Sequence, residues 1–211
     1  MKGTLEYNRT MRCRVAFAEC LLVGGLLLAS SGWAGPSVFL SGTLATLPAE
    51  VQFIAIGMPG SFRIIGRAKQ LSGEFFVERC LVKGKAVLLL DSLDTGIELR
   101  NHHLRDKLET AKWPTAEFTL SKLVLPLNCT KVDFLGDRFP FFGELQLHHI
   151  VQPIEGRTKV IARSGRADLE FEFLIKLSQF GVEIPNFMGV TVGDEVNILV
   201  RIQYEPQPNP Q

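Results

Sequence analysis

Residues 91–114 read DSLDTGIELRNHHLRDKLETAKWP, and this stretch decides how the rest of the chain is read. It holds the strong helical signal, whereas most of the surrounding sequence alternates apolar and polar residues as β-strands do. Thr95 followed by Glu98 predicts a capping box, in which hydroxyl and carboxylate each satisfy a free backbone N–H at a helix start. Ile97, Leu104, Leu108 and Ala111 then share one face, so a helix is expected over about 97–111. Pro114 ends it, because the residue before a proline is pushed out of the α region. A strand thus ends near Asp91 and a new one begins near Thr115. A single helix laid across a β structure is expected to act as a lid, a plug or an end cap.

Upstream, residues 86–91 (AVLLLD) are apolar on both faces, which predicts a strand covered outside as well as inside, with the helix as the cover. Before it, Phe75 and Val77 oppose Glu74, Phe76 and Glu78. Phe62 and Ile64 form one inner face, and Val51, Phe53 and Ala55 another, with Met58, Pro59 and Gly60 turning the chain between them. Residues 35–50 read as a lead-in with at most a short edge strand. Downstream, Ala116, Phe118 and Leu120 alternate against polar neighbours, and residues 126–138 read as a loop or broken hairpin. Phe141, Gly143, Leu145 and Leu147 share a face. Pro153 is expected to start a strand carrying Ile154, Thr158, Val160 and Ala162 inward. The clearest strand is Ala167 to Leu177. A loop over 179–194 leads to a last strand with Val196, Ile198, Val200, Ile202 and Tyr204 inside. The pattern is all-β: an antiparallel domain over 51–205 of roughly eight strands, closed as a barrel, followed by a proline-rich, disordered tail at 206–211. Such a barrel is either filled by side chains or holds one small ligand.

The N-terminus reads as a targeting segment. Arg12 and Arg14 precede the apolar run CLLVGGLLLA (20–29) and the small residues SSGWA, so residues 1–34 are expected to be a secretory signal peptide. The run is shorter than the roughly 20 residues that span a bilayer. Met11 makes a better start for such a peptide than Met1. The expected location is periplasmic or secreted. The chain of 211 residues is 46% hydrophobic with a net charge of +1, and no basic cluster points to nucleic acid. After removal of Cys13 and Cys20, Cys80 and Cys129 remain, and export makes a bridge between them chemically possible. Two unpaired thiols are the alternative.

Three blocks resemble the YceI-like family of exported polyisoprenoid-binding proteins. The first is residues 91–118, similar to that family's strand–helix–strand segment, with Trp113 at its usual aromatic before Pro114. The second is GELQLHHIVQPIEG (143–156), and the third is FGVEIPNFMGVTVGDEVNILVRI (180–202), with its V-G-D-E-V intact. The departures are small: His149 stands where the family usually has Gly, and Gln152 where it often has Lys. The resemblance implies a lipocalin-like antiparallel barrel with an apolar cavity for an isoprenoid tail and the helix near one end.

The residues themselves supply candidates for such a cavity. Fifteen Phe stand against two Tyr and two Trp, and Phe53, Phe62, Phe75, Phe118, Phe141, Phe171 and Phe173 fall on expected inner faces. Rings without a polar handle suit a lipid tunnel, although they also simply fill barrels. Arg100 lies between Ile97 and Leu104 on the helix's apolar face. It is expected either to pair with Asp94 or Asp91, as buried charges do, or to meet a phosphate or quinone head group. His103 matches the family's helix histidine and is a rim candidate. The pairs His102-His103 and His148-His149 point apart and cannot chelate one metal, so no metal is expected. No nucleophile elbow, phosphate loop, dinucleotide motif or H-E-x-x-H occurs, and the single D-T-G at 94–96 lacks the second carboxylate that aspartic proteases need. The expected function is therefore a non-enzymatic carrier of an isoprenoid lipid, polyprenyl or quinone-type, with no other cofactor. The alternative is a filled barrel serving a membrane redox or envelope-stress system through protein contacts. A transient membrane-protein partner and a homodimer are left open.

Overall fold

The structure is a computed structural model that describes residues 40–43, 49–59, 62–78, 80–126, 133–163, 166–187 and 189–204, all within the compact unit Pro36–Gln211. The expected signal peptide, both candidate start methionines, the 206–211 tail and Cys129 lie outside the described residues. Cys80 is buried and disulfide-bonded. Among the described residues, no helix is long and apolar enough to cross a membrane.

Among the described residues, eleven strands make one antiparallel sheet: β1 (Leu40–Thr43), β2 (Ala49–Met58), β3 (Phe62–Ala68), β4 (Leu71–Glu78), β5 (Leu81–Leu89), β6 (Thr115–Val124), β7 (Phe134–Leu147), β8 (Ile150–Arg163), β9 (Arg166–Lys176), β10 (Asn186–Phe187) and β11 (Val190–Tyr204). The strand order is β1-β4-β5-β6-β7-β8-β9-β11-β2-β3, with β10 added to β11. Helix α1 (Glu98–Lys107) lies between β5 and β6. The architecture is the all-β, one-helix fold expected. The excess over eight strands comes mainly from two short ones: β1 in the lead-in, and β10 inside the stretch read as a loop. The sheet curls through strand twist and the register shifts between β5 and β6, β6 and β7, β7 and β8, and β11 and β2. Among the described residues it is not closed as expected, since β1 and β3 end the strand order. In β9, Phe171, Phe173 and Ile175 are buried, while Glu170 and Glu172 face out to Arg201 and Asn197 at 2.9 Å.

Pro153 lies within β8, opposite Glu144 of β7, rather than at its start. It is tolerated because β9 pairs β8 only from Gly156 onward, so no neighbour awaits a proton from residue 153. The β7–β8 turn is His148-His149, with φ of 49° and 64°. A two-residue hairpin turn of this handedness favours glycine, which explains why a Gly is usual where His149 stands. Here the ring of His149 packs against Trp113 in a tilted contact with centroids 4.8 Å apart. His148 is buried between the Phe180 carbonyl (3.2 Å) and Glu109 (3.5 Å).

The capping box does not form. The helix starts from Ile97 without a side-chain cap, and Glu98 reaches along the helix to Arg105 at 3.3 Å. Thr95 instead donates its backbone N–H (2.8 Å) and its hydroxyl (2.7 Å) to Oδ1 of Asn101, which is buried in the first turns of α1. Asn101 in turn donates from Nδ2 to Asp94 at 2.8 Å. A buried amide with three partners outcompetes the cap, since leaving it unsatisfied would cost more than a cap contributes. Asn101→Ala is expected to destabilise the fold by about 1–3 kcal/mol, because it leaves the Thr95 N–H without its acceptor and takes one of the two side-chain hydrogen bonds from Asp94. Urea denaturation with an unchanged slope would check this.

The helix is also shorter than its expected 97–111, since it turns out of α geometry after Leu108, and Ala111 is exposed in the following turn. It does not cover the outer face of β5, where Leu89 is 41% exposed. It lies over the end of the barrel. Its start is fixed by Asp94, which exchanges backbone hydrogen bonds of 2.8 Å each way with Arg67 and so occupies part of the open edge of β3. Its end is fixed by the ion pair between Lys107 and Glu183 and by burial of Leu108.

Candidate functional site

The curled sheet and α1 enclose a cavity of about 860 Å³. Its walls come from β2–β6, β7, β9 and β11, because each contributes every second residue to the inside. Phe53, Phe62, Phe75, Phe118, Phe171 and Phe173 all line it, as do Arg100 and His103 from the helix. Phe141 does not reach the lumen. It is fully buried and stands edge-on to Phe118, Phe171 and Phe173 at centroid distances of 5.4–6.0 Å, behind the lining.

The lumen stays open because several of these rings lie flat against the wall. The ring of Phe53 covers Gly66, its cross-strand partner on β3, so closely that a Cβ there would come within 2.1 Å of it. Phe62 covers Gly57 in the same way (2.4 Å), and Phe118 covers Gly143 (2.7 Å). A side chain at any of these glycines would push a ring inward and take up volume. The sequence offers the glycines, but their pairing with particular rings depends on register, which the pattern of a single strand does not contain.

At the helix end the lining turns polar. Arg100, His103, Asp106 and Lys107 face the cavity from α1, together with Ile97 and Leu99, which are 50% and 59% exposed and so stand at the rim. The expected pairing of Arg100 with Asp94 or Asp91 is not made. Asp94 is occupied by Asn101 and by the Gly96 N–H at 2.8 Å, and among the described residues Arg100 has no ion-pair partner. The reason is geometric: Arg100 faces the lumen from α1, whereas the Asp94 carboxylate is turned to Gly96 and Asn101 at the start of the helix.

The Asn101 amide and the Gly96 N–H hold the Asp94 carboxyl below its ordinary range, and Ser178 does the same for Asp194 through its hydroxyl and its N–H. Both depressed carboxylates favour the fold above about pH 4, the unfolded value, and that contribution is lost as pH falls through the lower folded values. The Gly96 amide resonance is therefore expected to titrate with a midpoint below about 4. A midpoint at or above it would show that Asp94 gains nothing from these bonds. Among the described residues, no group of three or more His, Cys, Asp or Glu is placed to hold a metal ion.

Solved structures share this architecture. A polyisoprenoid binding domain from Saccharophagus degradans, implicated in plant cell wall breakdown, superposes with a TM-score of 0.56 at 20% identity, over 80% of this chain and 98% of that one. BcnA of Burkholderia cenocepacia gives 0.61 at 16% identity, over 74% and 96%. The Campylobacter jejuni YCEI protein gives 0.51 at 17% identity, over 69% and 86%. At these identities the likeness is one of fold. No curated protein matches the sequence. Residues 44–204 match the YceI-like domain across nearly the whole sheet, and the chain belongs to that family.

Proposed function

We propose that this protein is an exported, non-enzymatic carrier that holds the tail of an isoprenoid lipid in its barrel. The observation that carries the reading is the cavity: about 860 Å³, walled mainly by Phe, Leu, Ile and Val, with most of its polar residues at the helix and Glu74 and Lys85 on β4 and β5. That volume lies toward the upper end of small-molecule sites, and an apolar wall with polar groups at one end suits an amphiphile with a long tail. Binding would draw on burial of the tail at about 25 cal/mol per Å², less the cost of association. The open lumen argues against a side-chain-filled barrel acting only through its surface. The signal-like N-terminal sequence supports export to the periplasm or beyond.

Native mass spectrometry of the mature protein from its own host's envelope, followed by organic extraction, tests this. A bound mass that extracts as a long isoprenoid is the expected result. A bare polypeptide mass, with no uptake of added isoprenoid quinone, would discard the carrier reading.

A further inference from the structure

We propose that the mouth of the cavity is an anion site for the ligand's head, so that the preferred lipid ends in a phosphate or carboxylate rather than in a neutral alcohol or quinone. This rests on the carrier reading and specifies its ligand. Three basic residues of α1 face the lumen, Arg100, His103 and Lys107, beside the acid Asp106. Lys107 is neutralised by Glu183. Of the acids near Arg100 in sequence, Glu98 is held by Arg105 at 3.3 Å, Asp94 by Asn101 and Gly96, and Asp106 by His102 at 2.9 Å. Arg100 is thus left as a half-buried guanidinium on an apolar cavity with no acid partner among the described residues. A partly desolvated charge favours a counter-charge, and a planar fork of donors suits two oxygens of one phosphate or carboxylate. A tail seated among the Phe rings places its head at the helix, where Arg100 stands.

The experiment compares a polyprenyl phosphate with the polyprenol of the same chain length, by intrinsic tryptophan fluorescence and native mass spectrometry. The wild-type protein is expected to bind the phosphate roughly tenfold or more tightly, the usual scale of a charge-assisted hydrogen bond. In Arg100→Met the ratio of the two affinities is expected to fall toward one, and in Arg100→Lys to fall only part of the way. Added inorganic phosphate at millimolar concentration is expected to leave the ratio unchanged. Equal affinity for both lipids in the wild type, or a ratio that survives Arg100→Met, would overturn the head-group site while leaving the carrier reading intact. Loss of the preference to inorganic phosphate would overturn the assignment of the anion to a lipid. Uptake of neither lipid would overturn the carrier reading, and this one with it.

Discussion

Phe141→Ala is expected to destabilise the domain by about 3–5 kcal/mol, enough to consume a large share of the stability of a single domain. Phe141 is fully buried and makes edge-on contacts with Phe118, Phe171 and Phe173, while its ring also covers Gly156, its cross-strand partner on β8. Truncation would leave a void on the wall side of three lining rings and uncover the glycine beneath. Those rings would have no rigid backing, so the shape of the lumen would change along with the stability. Chemical denaturation gives the size of the loss. Phe141→Leu, which keeps much of the volume, should cost clearly less, and an equal cost for both would show that ring contacts rather than volume set it. Gly156→Val should be harmful from the opposite side, because a Cβ there meets the Glu172 carbonyl at 2.4 Å and the Phe141 ring at 2.6 Å.

The second large effect is on binding. Ile198 lines the cavity and lies between Phe53 of β2 and Phe173 of β9 in register, midway along β11. It also packs against both buried clusters of the interior, one built on Phe141 and Phe173 and one on Val51 and Leu71. Ile198→Trp adds a large ring to open space, so the fold should tolerate it. The ring would displace a tail segment of similar size and forfeit about 1.5–3 kcal/mol of burial, which is roughly 10- to 150-fold in affinity for an isoprenoid. Titration with a short and a long isoprenoid quinone checks this, the long chain being the more affected. Unaltered uptake of both would show that the tail does not run past β11.

Much of the fold was legible because strand alternation is a local property. The alternation from Ala167 to Leu177 placed Phe171, Phe173 and Ile175 inside, and the run from Val196 to Ile202 did the same for β11. The helix was legible from Pro114 and from Leu104 and Leu108, but its start was misread. Thr95 and Glu98 have the spacing of a capping box, yet the buried amide of Asn101, six residues on from Thr95, claims the Thr95 hydroxyl. An amide is counted as a polar helix residue until packing buries it, and only then does its demand for partners outweigh a surface cap.

The sequence by itself determined an antiparallel β domain, one helix after β5, the set of inward rings and the family, because periodicity and short motifs are written in consecutive residues. The tertiary structure decided three things. It set Phe141 behind the lining and the other candidate rings on it. It laid Phe53, Phe62 and Phe118 over glycines so that the barrel stays hollow. It also turned the Asp94 carboxylate to Asn101 and Gly96 and left Arg100 on the cavity without an acid partner among the described residues. The first two depend on the register between paired strands, which no local pattern records, and the third on the packing that buries Asn101.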